Sequence, residues 1–295
     1  MIGFITVHYK DKREFEQFVS KEKKFTSKLI KKDLDSENFI YPLEAKYQGM
    51  SYKIDEHKGY LYGNIRFFYS EEKGVKYTSV FGYSNLYESI DLLAKQTVQI
   101  DSTTLSRLTI VFKIYMPISG EEMIKNNIIM YKLLGYNHNL SEDLKKGLKV
   151  FEYHNYKFCF ISEVSKGNKN KNSLTVRLEF KTSAELRKLG LNNIKDLKDK
   201  LKLKGLFDVF LKRFNELTII DSIQDFDVFS EIDKQKLITY MNPSSWDNLL
   251  IRNKRTVKYL AKKDFEILQK EYKLNTLRDL LRKKIIIEFD SFINN

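Results

Sequence analysis

Eight residues of alternating character, Leu174-Thr-Val-Arg-Leu-Glu-Phe-Lys181, carry the most legible chemistry in this 295-residue chain. Successive side chains of a strand point to opposite faces, so Leu174, Val176, Leu178 and Phe180 share one face and Thr175, Arg177, Glu179 and Lys181 the other. The second face is a row of charges on a rigid support. Before it comes Lys166-Gly-Asn-Lys-Asn-Lys-Asn-Ser173, which has no apolar residue and reads as a solvated loop. A guanidinium fork matches phosphate oxygens, which makes Arg177, and Arg66 upstream, candidate phosphate contacts. Lys166, Lys169 and Lys171 suit non-specific contacts to a nucleic-acid backbone, of the kind that weaken as salt rises.

The bulk chemistry points the same way. A net charge of +13 favours a polyanionic partner. Abundant Lys, Asn and Ile also fit a low-GC genome, in which lysine is a common surface residue. Placement argues for nucleic acid, because the lysines recur beside aromatic residues that can stack on unpaired bases, at about 1–3 kcal/mol per base. An apolar fraction of 42% and an aromatic fraction of 14% exclude a disordered chain, and 3 Pro with 12 Gly leave no evident flexible linker. No apolar run approaches the roughly 20 residues that span a bilayer. The segment Met1-Ile-Gly-Phe-Ile-Thr-Val7 is apolar but has its charges after it, so it reads as a first strand rather than a secretory signal. The expected compartment is the cytoplasm, with no membrane partner. The single cysteine, Cys159, excludes an internal disulfide framework and zinc sites built on cysteine pairs, and reads as a small buried hydrophobe.

The elements that must position these residues follow from periodicity. Strands are expected at Ile2–Tyr9, Lys46–Ile54 and Gly59–Tyr69, the last two joined by a turn at Asp55–Gly59. Phe15, Phe18, Phe25 and Leu29 lie at helical spacings within 12–38. A helix over Ser84–Gln96, capped by Ser84, would bury Leu86, Ile90 and Leu93. A strand follows at Leu105–Met116, then a helix within Gly120–Leu134, then strands at Phe151–Ser162 and Leu174–Lys181. Thr182-Ser-Ala-Glu185 has the capping-box pattern and opens a helix ending near Gly190. Helices are expected around Ile194–Leu201 and Leu206–Leu217, a break at Asn242-Pro243, and a helical pair at Arg255–Tyr272 and Thr276–Ile293. No internal repeat is visible. The expected fold is α+β: an antiparallel sheet core with flanking helices and a helical C-terminal third, divided into a DNA-binding domain over 1–225 and a helical region over 226–295.

The order Gly63-Asn-Ile-Arg-Phe-Phe-Tyr69, Ser106-Arg-Leu-Thr-Ile110, Tyr153–Ser162 and Val176–Lys181, running into Leu189–Leu197, resembles the gene II-type replication initiators of single-stranded DNA phages and plasmids. Asn242-Pro-Ser-Ser-Trp246 is similar to that family's tail. The likeness rests on order and spacing over roughly residues 60–250. It implies a rolling-circle enzyme of the HUH-endonuclease type, in which a tyrosine hydroxyl attacks a DNA phosphodiester, stays joined to the 5′ phosphate and frees a 3′ hydroxyl. Tyrosine, with a reference pKa near 10, needs activation for this, and the family uses a divalent cation, Mg²⁺ or Mn²⁺. The implied partners are single-stranded DNA at a replication origin and a host helicase or polymerase.

Carried onto this chain, the resemblance makes Tyr156, then Tyr153, the nucleophile, with Glu179 and His154 as metal ligands. The chain departs from the pattern at several points. It has no His-hydrophobic-His triplet, Arg66 stands where relatives place a histidine, and Thr109 where they place a glutamate. Cys159 or Ile161 occupies the usual nucleophile position. Plainer roles compete: the tyrosines as an aromatic strand face, His154 as a polar surface residue, and Glu179 as a partner of Arg177 or Lys181. Two other functions therefore stand beside nicking: a non-catalytic DNA-binding protein and, on composition alone, an RNA-binding accessory protein. The former would use Arg252, Lys254, Arg255, Lys258, Lys262 and Lys263 to lead a helix-turn-helix-like unit into a major groove.

Overall fold

The computed structural model describes residues 1–33, 38–77, 80–135, 147–162, 172–251 and 255–295. Its frame is an antiparallel nine-stranded sheet in the order β2-β3-β4-β5-β1-β6-β10-β9-β8. The strands are β1 (Ile2–Tyr9), β2 (Ser27–Lys32), β3 (Phe39–Tyr47), β4 (Met50–Ile54), β5 (Gly59–Asn64), β6 (Thr104–Tyr115), β8 (Leu148–Glu152), β9 (Tyr156–Ser162) and β10 (Ser173–Phe180). A separate ribbon pairs β7 (Ile128–Tyr131) with β11 (Leu217–Ile219). The α+β class expected from the sequence is the class observed.

The central strands bury one face, as their period-two pattern requires. Ile5, Val7 and Tyr9 of β1, Leu61 of β5, Leu108, Ile110, Phe112 and Ile114 of β6, and Val176, Leu178 and Phe180 of β10 face a common core. Helices α1 (Lys12–Lys21), α2 (Ile65–Lys73), α3 (Tyr83–Gln96), α6 (Lys200–Phe214) and α10 (Thr276–Asn294) contribute to that core. Phe207 of α6 stacks on Phe289 of α10 at 3.9 Å, and Phe112 meets Phe210 edge-on at 5.0 Å. Thus α10 belongs to the main core. A second cluster, Met130, Ile220, Leu237, Trp246, Phe265 and Leu268, joins the small ribbon to α7 (Glu231–Met241), α8 (Pro243–Ile251) and α9 (Arg255–Glu271).

Several segments differ from the sequence reading, each for an identifiable reason. The helical spacing within 12–38 holds only for α1, which Asp11 caps by accepting from the Arg13 amide; residues 27–32 form β2, an edge strand whose lysines face solvent. The strand expected at Gly59–Tyr69 ends at Asn64, whose side chain accepts from the amides of Arg66 and Phe67 and starts α2. Gly82 rather than Ser84 caps α3, its amide donating to the Asn85 side chain. Within Gly120–Leu134 the helix α4 (Gly120–Glu122) passes into a π-turn, and the β-branched pair Ile128-Ile129 then enters β7. Thr182 is the N-cap of α5 (Ser183–Arg187) but makes no side-chain capping bond, and the Glu185 carboxylate pairs with Arg213 and Lys188. The expected turn at Asp55 forms, whereas the strand expected over Lys46–Ile54 is broken by a hairpin turn. Asp55 accepts from the amides of His57 and Lys58, and Gln48-Gly49, both at positive φ, closes the β3–β4 hairpin.

The topology contains a repeat that the sequence conceals. The first half runs β1, α1, β2, then the meander β3-β4-β5, whose last strand returns beside β1 and leads into α2. The second runs β6, α4, β7, then β8-β9-β10, whose last strand returns beside β6 and leads into α5. Both halves close on a left-handed glycine, Gly74 or Gly190. Pairing of β1 with β6 joins them about a pseudo-two-fold axis.

Candidate nucleic-acid interface

The sheet face turned away from the core is built from the other side of each strand. Phe4, Thr6 and His8 of β1 stand beside Tyr60, Tyr62 and Asn64 of β5, with His8 paired to Tyr60, Thr6 to Tyr62 and Phe4 to Asn64. Lys53 of β4 lies opposite Tyr60, and Arg107 of β6 lies opposite Thr6. These strands line a groove of about 670 Å³ together with Lys181, Thr182 and Ser183 and with Lys58 from the Asp55 turn. Phe4 and Tyr62 are in ring contact at 6.1 Å.

The electrostatics of this groove favour an anion. Its lining includes Lys53, Lys58, Arg107 and Lys181 and no carboxylate among the described residues. Lys53 is paired with Glu44 at 3.0 Å and Lys181 with Glu152 at 2.6 Å, while no ion pair holds Lys58 or Arg107 among the described residues. Burial, then the charges of Lys58, Lys10 and Arg187, push His8 below its ordinary value of 6.5, so the imidazole is neutral at pH 7. Thr182 Oγ1, in a lining residue of the groove, is buried with no hydrogen-bond partner among the described residues.

The residues singled out from sequence divide between the two faces. Arg177 and Glu179 lie on the open face of β10, opposite Cys159 and Lys157 of β9. Glu179 meets Lys157 at 3.7 Å. Cys159 is buried, and burial raises its thiol to about 11, as expected of a small hydrophobe. Arg66 sits in the first turn of α2, its guanidinium 4.9 Å from the Tyr77 ring centre. Arg66 and Arg177 line one cavity of about 370 Å³, so the structure does bring these two together. Lys166, Lys169 and Lys171 lie outside the described residues, as do Arg252 and Lys254.

Tyr156 points the other way. It is buried with Phe158 and Phe180, stacks on Tyr153 at 5.0 Å, and has the Arg213 guanidinium 3.6 Å over its ring. Its hydroxyl is 3.1 Å from that of Tyr131, which donates to Glu216 at 2.6 Å. Burial, reinforced by Tyr156 and Glu216, pushes Tyr153 up to about 12. His154 is exposed in the β8–β9 turn, and neither it nor Glu179 belongs to a group of three or more His, Cys, Asp or Glu side chains able to hold a metal, among the described residues. As arranged, these residues do not fit a divalent cation.

Sequence reasoning missed the groove, although its parts were readable. Alternation in Gly59-Tyr-Leu-Tyr-Gly-Asn64 sets Tyr60 and Tyr62 on one face, and alternation in Ile2–Tyr9 does the same for Phe4, Thr6 and His8. What the sequence lacked was the strand order that makes these faces neighbours. No described helix is long and apolar enough to cross a membrane. Compared with known protein families and with curated proteins, the chain matches none.

Proposed function

We propose that this protein is a replication initiation protein of a circular single-stranded DNA phage or plasmid, and that it holds an unpaired DNA strand on its open sheet face. The observation that carries this reading is the groove over β4, β5, β1 and β6, where Phe4, Tyr60 and Tyr62 lie among Lys53, Lys58, Arg107 and Lys181 with no acidic lining residue among those described. The exposed Phe4 ring and the half-buried Tyr60 and Tyr62 rings on a rigid sheet suit stacking of successive bases, and the surrounding cations suit the backbone. Anisotropy of a labelled single-stranded oligonucleotide tests it: Tyr60→Ala and Tyr62→Ala each weaken binding roughly 5- to 150-fold, the stacking worth of one base. Unchanged affinity in both variants overturns the reading.

Nicking is the second reading, and one observation favours it. Tyr60 lies directly opposite the neutral His8 across the β1–β5 pair, which puts a phenol and a proton acceptor within one groove. In that reaction the phenol proton passes to His8, the tyrosine oxygen bonds to phosphorus, the bond to the 3′ oxygen breaks, and that oxygen takes the proton from His8. Incubation with labelled single-stranded DNA and Mg²⁺ or Mn²⁺, followed by a denaturing gel, reveals a covalent adduct. An adduct lost in Tyr60→Phe supports nicking from the groove, one lost only in Tyr156→Phe or Tyr153→Phe assigns it to the tyrosine cluster, and binding without an adduct leaves the DNA-binding role alone.

A further inference from the structure

The pseudo-two-fold axis gives the groove a counterpart. The groove is framed by the start of β6, by β1, and by the β10–α5 junction; the cavity holding Arg66 and Arg177 is framed by the start of β1, by β6, and by the β5–α2 junction. It is a notch, formed because β1 begins at Ile2 while its neighbour β6 runs on to Tyr115. From Gly3 to His8 the strand covers roughly 17 Å, so the notch continues the groove along the same strand.

Its contents differ from those of the groove. Three cationic side chains, Arg66, Lys113 and Arg177, and one carboxylate side chain, Glu288 of α10, line about 370 Å³, together with Asn64, Tyr77, Met1 and Asn295. The Arg66 guanidinium lies 4.9 Å from the Tyr77 ring centre and 6.0 Å from that of Phe81. Arg177 Nε is buried and has no hydrogen-bond partner among the described residues. A buried guanidinium N–H without an acceptor is costly, and an anion in the notch supplies one. The concentration of cations at one point, rather than along a track, suits a dianion more than the single charge of a phosphodiester.

We propose that this notch is a phosphate-monoester site, taking the terminal phosphate of a nucleic-acid strand or the phosphate of a free nucleotide. The strand-end source rests on the reading that the groove holds single-stranded DNA; the nucleotide source does not. The test uses the full chain with labelled oligonucleotides carrying a 5′ phosphate, a 3′ phosphate or neither, and with AMP and inorganic phosphate in calorimetry. A terminal phosphate is expected to tighten binding about tenfold or more, a gain that Arg177→Gln and the exposed-site variant Lys113→Gln each reduce and Arg107→Gln leaves intact. Tightening by one oligonucleotide end without AMP binding assigns the site to strand ends, and AMP binding lost in both notch variants assigns it to nucleotides. Equal affinity for all three oligonucleotides together with no binding of AMP or inorganic phosphate overturns the proposal, as does phosphate-dependent binding that survives both notch variants. Loss of unphosphorylated-strand binding in Arg107→Gln reports on the groove alone, so failures of the two readings are separable.

Discussion

Replacing Arg107 by Gln isolates the electrostatic part of the proposed strand binding, and the size of the effect follows from the groove. Each phosphate neutralised on a single strand contributes about −0.7 to the slope of log affinity against log salt. Lys58 and Arg107 are the two lining cations without an ion pair among the described residues, whereas Lys53 and Lys181 already face Glu44 and Glu152. Two contacts give a slope near −1.4 and all four near −2.8, so raising salt from about 50 to 200 mM weakens binding roughly 7- to 50-fold. Arg107→Gln is expected to flatten the slope by about 0.7, and Lys58→Gln to flatten it by a similar step. Lys125, paired with Glu121 away from the groove, serves as the control, and Lys125→Gln leaves the slope unchanged. Anisotropy of a labelled single-stranded oligonucleotide across a salt series reads all four proteins. Affinity independent of salt, or equal slopes in wild type and Arg107→Gln, refutes the assignment of the groove as the path of the strand.

Three further outcomes are expected. Tyr156→Phe removes a buried hydroxyl bonded to Tyr131 and costs about 1 kcal/mol in thermal or denaturant unfolding, while single-strand affinity stays as in wild type; weakened binding would mean that the tyrosine cluster reaches the strand. Trp246, the single tryptophan, is fully buried and donates from Nε1 to the Tyr240 carbonyl, so Trp246→Ala is expected to cost about 3–5 kcal/mol and to loosen α7–α9 first, seen as faster amide exchange there than in the main sheet. Burial pulls Lys149 from 10.5 down to about 8, so between those values the unfolded chain keeps a proton that the folded chain has released, and stability rises with pH. Below about pH 8 the folded protein carries the full cost, roughly 3 kcal/mol, so Lys149→Met is more stable than wild type at pH 7, with an advantage that shrinks toward pH 10; a constant difference across that range contradicts the assignment.

Period and turn chemistry were enough to read the parts of this fold that depend on neighbours in sequence. The alternation of β6 and β10, the Asp55 turn, the buried stripe Leu86-Ile90-Leu93 of α3 and the helix break at Pro243 are all local, and all stand in the structure. Local signals also misled where a cap outweighed propensity: Asn64 turns an aromatic, β-prone segment into α2 because its side chain satisfies two amides that a strand would leave unpaired. Facing was half legible. Alternation sets Tyr156 opposite in sense to Lys157, and register with Phe180 then sends it into the core, away from Glu179. Adjacency lay beyond the sequence altogether. Phe4, Tyr62, Lys53, Arg107 and Lys181 come from five separate segments, and only the order of strands, set by long-range hydrogen bonding and burial, makes them one groove. The similar order of elements in the two halves was hidden for the same reason: topology depends on strand order and on the apolar alternation facing the core, not on any one side chain.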